Sequence, residues 1–308
     1  MFVIGLVVGS FLNVVIYRLP LMLEREWRAQ AADLSPSPDA PHAPHAPHAP
    51  QATHGAHGAA HAATIHAGAA QAFNLLTPRS ACPACKAPIK ARHNVPVLSW
   101  LWLRGRCAAC RARIPARYPA VELACALSSA AVAWHFGFGA AAACALLVTW
   151  ALIALGAIDI DHQLLPDGIT LPLMWTGLLA AVAFGPLPGS ALPVAPRDAI
   201  FGAAAAYLSL WLVFQIFRLV TGKEGMGYGD FKLFAALGAW LGWTLLPLII
   251  VLAAAAGAAL GLLMIALRGR ERSAPIPFGP YLAMAGWLAM LYGHRMIGAY
   301  LRISGLAG

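Results

Sequence analysis

Long apolar runs recur along this chain and constrain its fold more than any other feature. A helix needs roughly 20 apolar residues to cross the hydrocarbon core of a bilayer. The chain is 60% hydrophobic and only 11% charged, which is too little charge to cover the surface of a soluble protein. We therefore predict an all-α polytopic membrane protein with about eight transmembrane helices. The predicted spans are 1–17, 121–137, 139–158, 168–185, 199–219, 231–245, 247–267 and 276–294.

The first apolar run is short enough to be compared with a secretory signal. No basic segment precedes Phe2, and the run ends at Tyr17 and Arg18 rather than at a small-residue cleavage site. These features favour a transmembrane helix over a cleaved signal.

Positive charge is concentrated in one part of the chain. Twelve of the 21 Lys and Arg residues lie between Arg18 and Arg117, and the formal net charge is +9. In a membrane protein this pattern indicates a cytoplasmic segment rather than a nucleic-acid partner. Eight spans threaded from that segment place both termini outside and most remaining cations inside. The predicted location is the bacterial inner membrane, with the lipid bilayer as a partner and no nucleic acid.

The cationic loops divide the chain into three parts. Residues 1–17 form the first transmembrane helix, residues 18–120 a cytoplasmic domain, and residues 121–308 a transmembrane bundle. Residues 35–72 are rich in Pro, Ala and His, and we interpret them as a disordered insertion because they cannot bury a core. Metal capture by those histidines is an alternative. No internal repeat is expected in the soluble part.

Four cysteines share a spacing typical of a structural zinc site. They form two C-x2-C pairs separated by 21 residues: Cys82, Cys85, Cys107 and Cys110. Each pair can chelate from one tight turn, and two pairs complete a tetrahedral shell. Zinc is favoured over a redox dithiol, with the zinc-binding part at 80–118. Cys125 and Cys144 lie in apolar spans, where packing is expected.

Aspartates cluster at two span ends that the topology places on the cytoplasmic side. Asp159, Asp161 and Asp167 lie at the end of span three, and Asp230 follows a glycine-rich stretch containing Gly227 and Gly229. Ionisable groups at membrane level are costly and usually functional. Two carboxyl groups at one site can share a proton and hydrolyse a peptide bond. Helix capping is the structural alternative.

Helix dipoles suggest different roles for the two main aspartates. Asp159 lies near a helix C-terminus, which disfavours its charge, and Asp230 near an N-terminus, which favours it. We predict that Asp159 holds the proton and that Asp230 activates water. Asp161 is about 200° around the helix from Asp159. Asp161, Asp167, Gly227 and Gly229 are therefore supporting candidates.

The assembled motifs resemble those of the bacterial type IV prepilin peptidases, along almost the whole chain. The matching segments are 9–15, 17–20, the two cysteine pairs, 117–119 with Glu122, 158–167, 221–230 and 275–281.

The resemblance implies functions that spacing alone does not supply. Such enzymes cut the basic leader of prepilins or pseudopilins after a glycine, on the cytoplasmic side. They then methylate the new N-terminus with S-adenosylmethionine. By position, Asp159 and Asp230 would be the catalytic pair. Glu24, Glu26 and Glu122 are candidates for binding the basic leader. Competing readings are a transporter that uses membrane aspartates and a scaffold that presents the cysteine domain.

Overall fold

The computed structural model describes residues 1–34, 73–187, 192–268 and 277–305. Nine α-helices lie in these residues, and no strand is formed in this part of the chain. The predicted disordered insertion 35–72 falls outside the described ranges, as do Pro275 and Ile276 of the last motif. The helices are α1 Phe2–Leu34, α2 Leu98–Trp102, α3 Arg117–Phe136, α4 Ala140–His162, α5 Asp167–Phe184, α6 Pro196–Thr221, α7 Tyr228–Leu241, α8 Leu246–Arg268 and α9 Gly279–Ile303.

Helix α7 is the centre of the bundle. Apart from Lys232, every residue from Asp230 to Leu241 is buried. Its sequence is apolar on all faces after Lys232, as expected of a helix surrounded by others. It packs against α5, α6 and α9, whereas α4 lies between α9 and the pair formed by α1 and α3. The core therefore surrounds the helix that carries Asp230.

Five helices are long and apolar enough to cross a membrane. They are α1, α4, α5, α6 and the segment Trp243–Leu267, which contains most of α8. In the most apolar 18-residue stretch of α4, 61% of the residues are buried, whereas the corresponding share in α8 is only 11%. Helix α4 is therefore interior, and α8 faces surroundings that must be apolar. This confirms the helical, multi-pass architecture.

The three other predicted spans are also helical but have a different character. Helix α7 has 14 residues, a length of about 21 Å that falls short of the roughly 30 Å hydrocarbon core. Helix α3 includes Arg117 and Glu122, and α9 includes Arg295 and Arg302. The eight-span count stays a prediction.

Helix α1 extends well beyond the predicted first span. It continues through Pro20 to Leu34, so the part after residue 17 is a polar extension. Arg18 is buried there and donates to the carbonyl oxygens of Asn74 at 2.9 Å and Pro78 at 2.6 Å. These bonds attach the segment that leads into the cysteine domain, residues 80–118, to the first helix.

The closest helix crossing joins α6 to α7. A Cβ built on Gly202 would overlap the carbonyl oxygen of Gly238, and the reverse holds for Gly238. Small residues allow helix backbones in a membrane to approach this closely. The indole N–H of Trp240 then donates to the Leu173 carbonyl of α5 at 2.8 Å, so α7 is held from two sides.

We predict that Gly238→Ala lowers the free energy of unfolding by about 1–3 kcal/mol, the cost typical of overpacking a core. Denaturant unfolding in detergent measures this change. The control is Gly298→Ala in α9, where the nearest atom to the new Cβ would be Arg302 Nη1 at 4.0 Å. That change should be neutral or stabilising by up to about 1 kcal/mol. Equal destabilisation by both would contradict the close crossing.

Candidate active site and metal centre

Asp159 lies in the last turn of α4, as predicted. Asp159 is 5% exposed, and its Oδ2 accepts a hydrogen bond of 3.0 Å from the backbone N–H of Gly279. Gly279 is the first residue of α9, so a free N–H at that helix end points at the carboxyl group. A Cβ at Gly279 would lie 2.6 Å from Asp159 Oδ2. Only glycine allows this approach without displacing the carboxyl group.

Asp230 lies in the first turn of α7. Asp230 is 7% exposed. Gly227 is the N-cap residue of α7, and a Cβ built on it would lie 3.8 Å from Asp230 Oδ2. Gly229 packs against Leu165, because a Cβ built on it would be 2.7 Å from the Leu165 Cβ. The two glycine candidates therefore allow close contacts. Neither has the positive φ that would require glycine for its backbone conformation.

The loop between α4 and α5 brings the two aspartates together. Leu165 contacts both Gly229 beside Asp230 and Gly279 beside Asp159. The two carboxyl groups are close enough for their charges to affect each other. The structure thus unites two groups that are 71 residues apart in the chain. Two buried carboxyl groups in one site can act as an acid and base pair.

Asp161 and Asp167 do not join this pair. Asp161 forms an ion pair with Arg117 at the start of α3, on the other face of α4. Asp167, the first residue of α5, accepts two bonds of 2.7 Å from Lys232 Nζ on α7. Both aspartates therefore connect helices next to the site, and Asp167 fixes the helix turn that holds Asp230.

The three candidate glutamates lie in different environments. Glu122 on α3 is buried, and its Oε2 accepts the Val97 N–H at 2.7 Å. This contact ties the loop before α2 to α3. Glu24 and Glu26 lie on the polar extension of α1, where Glu24 pairs with Arg28 at 3.4 Å. Glu26 is exposed.

The four cysteine sulfurs form one cluster. All lie within 4.8 Å of one another, and the Cys82 and Cys110 sulfurs are 3.8 Å apart. A tetrahedral site with bonds of about 2.3 Å to sulfur needs separations of about 3.8 Å. Backbone N–H groups of Cys85 and Ala84 lower the pKa of Cys82 to about 6, which favours the thiolate that binds metal. The cluster could therefore hold a zinc ion.

The cysteine domain contains an internal repeat that the sequence analysis missed. Each turn repeats with an offset of 25 residues: Lys86 and Arg111 both have positive φ, and the bridge Ala81–Pro88 matches Arg106–Arg113. The sequence already carried the signal. Residues 82–92 and 107–117 are identical at seven of eleven positions when aligned by their first cysteines. The two turns are copies of one unit, and they converge on the four-cysteine cluster.

Comparison with known proteins places this arrangement in a family. Residues 3–136 match the model for the bacterial peptidase A24 N-terminal domain, and residues 146–262 match the type IV leader peptidase family. A prepilin leader peptidase/N-methyltransferase from Stutzerimonas stutzeri is 50% identical over 99% of this chain and 93% of its own length. This chain belongs to the type IV leader peptidase family.

Other family members show similar coverage. Proteins with the same name from Pseudomonas aeruginosa and Xanthomonas campestris pv. campestris are 50% and 40% identical over 98% of this chain. They are covered over 92% and 94% of their own lengths. No solved structure matches the chain. The resemblance noted in the motifs is thus confirmed, while the roles of individual site residues stay predictions.

We predict that the Asp167–Lys232 pair positions α7 more than it stabilises the fold. The side chains are 55% and 30% exposed, and partly exposed pairs contribute about 0.2–1 kcal/mol. A double-mutant cycle with Asp167→Asn and Lys232→Met, read by denaturant unfolding, should give a coupling energy in that range. The coupling should fall at high salt. A salt-independent coupling well above this range would contradict the assignment.

Proposed function

We propose that this leader peptidase family member cleaves the basic leader from type IV prepilins or pseudopilins and then methylates the new N-terminus. Two buried, interacting carboxyl groups at helix ends carry the cleavage half of this proposal. The relatives' shared name includes both activities. A transporter with membrane aspartates finds no support in those relatives.

The proposed hydrolysis uses the aspartate pair without a covalent intermediate. Asp230 takes a proton from water, and the oxygen of that water bonds to the scissile carbonyl carbon. Asp159 gives its proton to the carbonyl oxygen, which forms a neutral tetrahedral intermediate. As this intermediate collapses, Asp230 gives its proton to the leaving nitrogen and Asp159 takes a proton back from one hydroxyl group, so that the C–N bond breaks and a carboxylic acid forms. The Gly279 N–H is a fixed dipole beside this reaction.

The helix ends around the pair act on the shared proton in opposite directions. The C-terminal end of α4 disfavours the charge of Asp159, and the N-terminal end of α7 favours that of Asp230. The first N–H of α9 donates to Asp159 and favours the charged form of Asp159. We propose that the contributions of α4 and α7 prevail and that Asp159 holds the proton.

A cytoplasmic position for the site supports the choice of substrate. The positive-inside pattern places the ends of α4 and α7 on that side of the inner membrane. A prepilin presents its basic leader there, and an apolar segment lies behind it. Glu26 and Glu24 on the α1 extension are the exposed or partly exposed acids proposed to attract the leader. Buried Glu122 is the weakest of the three candidates, because it already accepts the Val97 N–H.

The four-cysteine cluster is proposed to hold a structural zinc ion. Four thiolates would close its coordination shell, so the metal would hold the two repeated turns together rather than catalyse. S-adenosylmethionine, when bound, supplies the methyl group. No residue is assigned to this donor. The arginines that line the open cleft of the cysteine domain would repel its cationic sulfonium group.

We predict that Asp159→Asn and Asp230→Asn each reduce leader cleavage by at least about 10²–10⁴-fold, since each variant loses one proton-transfer group. Mass spectrometry of the product N-terminus, with and without S-adenosylmethionine, measures cleavage and methylation in one assay. Asp161→Asn is the matched control, because Asp161 pairs with Arg117 away from the site. It should retain cleavage.

A separate methylation assay distinguishes the loss of a catalytic group from the loss of the fold. A pilin supplied without its leader should still be methylated by both Asn variants. Undiminished cleavage by either variant would exclude that aspartate from the reaction. Loss of methylation together with cleavage would assign the effect to the fold.

We predict that Cys82→Ser lowers bound zinc from about one ion per chain to near zero, because three thiolates no longer close the shell. Elemental analysis of the purified protein measures this. Cys144→Ser is the control, since Cys144 lies in α4 and packs against the core. Full zinc content in the Cys82 variant would refute the four-thiolate site.

A further inference from the structure

An open cleft in the cysteine domain is unexplained by either proposed activity. It has a volume of about 410 Å³. The residues that line it are Trp100, Arg104, Gly105, Arg106, Arg113, Ile114, Pro115 and Ala116. Small-molecule sites typically measure roughly 300–1,000 Å³. The indole N–H of Trp100 is already bound to the Ile114 carbonyl at 3.1 Å. The remaining donors in the cleft are therefore the three guanidinium groups.

No acid within the described residues forms an ion pair with these arginines. Residues 73–117 contain nine Lys and Arg and no Asp or Glu. The backbone bridge between Arg106 and Arg113 sets two like charges side by side, an arrangement that is unfavourable unless an anion lies between them.

The repeated unit shows that Arg106 and Arg113 are not needed for the backbone bridge. The first turn has Ala81 and Pro88 where the second has Arg106 and Arg113, yet both form the same bridge. The cation pair is thus an addition to one copy. Only this copy is followed directly by a membrane helix.

Chain connectivity places the cleft at the membrane surface. Ala116, which lines the cleft, immediately precedes α3. The apolar part of α3 is predicted to start at Val121, about 8 Å further along a helix. Glu122 also holds the Val97 N–H at 2.7 Å. The cleft is therefore within reach of lipid headgroups whenever α3 is in the bilayer.

Helix α2, next to the cleft, presents an apolar face that is largely exposed, although the His93 ring lies edge-on to Trp102. Leu98, Leu101 and Trp102 are 63%, 58% and 72% exposed. Their spacing places them on one side of the helix. Apolar and aromatic residues beside cations are typical of segments that lie in the interface of an anionic bilayer.

We propose that this cleft binds the phosphate of an anionic phospholipid and that α2 inserts its apolar face into the same leaflet. The guanidinium groups of Arg104, Arg106 and Arg113 donate to the phosphate oxygens, a geometry that suits arginine. Trp102 lies at headgroup depth, where tryptophan is favoured. The cysteine domain thus rests on the membrane surface. A basic leader would be repelled by this face.

Native mass spectrometry of the full-length protein in detergent tests the headgroup site. Phosphatidylglycerol is titrated against the parent and against a variant carrying Arg104→Gln, Arg106→Ala and Arg113→Gln. Each cation near an anionic lipid contributes roughly fivefold in affinity. The variant should therefore lose on the order of a hundredfold. Phosphatidylcholine should bind the parent at least about tenfold more weakly than phosphatidylglycerol.

The matched control removes three cations from the other copy, through Lys86→Gln, Lys90→Gln and Arg92→Gln. It should bind within about threefold of the parent. Equal loss in both triple variants would assign the effect to net charge and overturn the site. Equal affinity for phosphatidylcholine, or displacement of the lipid by equimolar inorganic phosphate, would also overturn it.

Zinc content is measured for every variant, so that an unfolded domain is recognised. If the triple variant loses zinc, Arg106→Ala alone is compared instead, because Ala81 occupies the matching position in the first copy. It should bind phosphatidylglycerol about fivefold more weakly, and unchanged binding would refute the site.

The insertion of α2 is tested in nanodiscs made with lipids brominated near the headgroup or at mid-chain. The difference between the fluorescence of the parent and that of Trp102→Phe gives the emission of Trp102. This component should be quenched at least about twofold more by the shallow bromines than by the deep ones. A Trp102 signal that neither lipid quenches would show that α2 stays in water.

Discussion

The geometry of the site depends on the burial of α7 from Asp230 onward. A helix that is apolar on every face has one stable place in a bundle, which is the centre. The Gly202–Gly238 crossing and the Trp240 bond to Leu173 fix its depth and rotation. Asp230 then has no freedom of its own, because it lies in the first turn of a helix that cannot move without exposing its core. The cost of burying its carboxyl group is met by the packing of the whole helix.

Helix ends supply the polar groups of the site. A helix interior offers no free N–H, but its first turn offers several. The α9 N-terminus points its Gly279 N–H at Asp159, and the α7 N-terminus carries Asp230. Three helices therefore end at one level of the bundle. This level is where a peptide can approach from water while the chemistry is shielded from it, which suits cleavage close to a membrane surface.

The sequence predicted the helices from the apolar runs and the cysteine cluster from the local spacing of the cysteines. It predicted the convergence of Asp159 with Asp230 because the topology placed both aspartates on the same side of the membrane. It did not predict the Gly279 contact, since that bond joins residues 120 positions apart. It ended α1 near residue 17, although the helix continues through Pro20. The helical turn of about 200° already made Asp161 a supporting candidate beside Asp159. The structure adds the partners of Asp161 and Asp167, which are Arg117 and Lys232.

The cysteine domain and the aspartate pair are connected through a narrow set of contacts. The segment that leads into the domain is attached to α1 by Arg18, and Val97 of the domain is attached to α3 by Glu122. The path to the site passes through Arg117, which pairs with Asp161 and whose guanidinium also donates to the Ala157 carbonyl at 3.3 Å. Since Asp161 is two residues from Asp159, a disturbed cysteine domain would reach the acid on α4 before the one on α7. Coupling between the two parts is thus a property of α4.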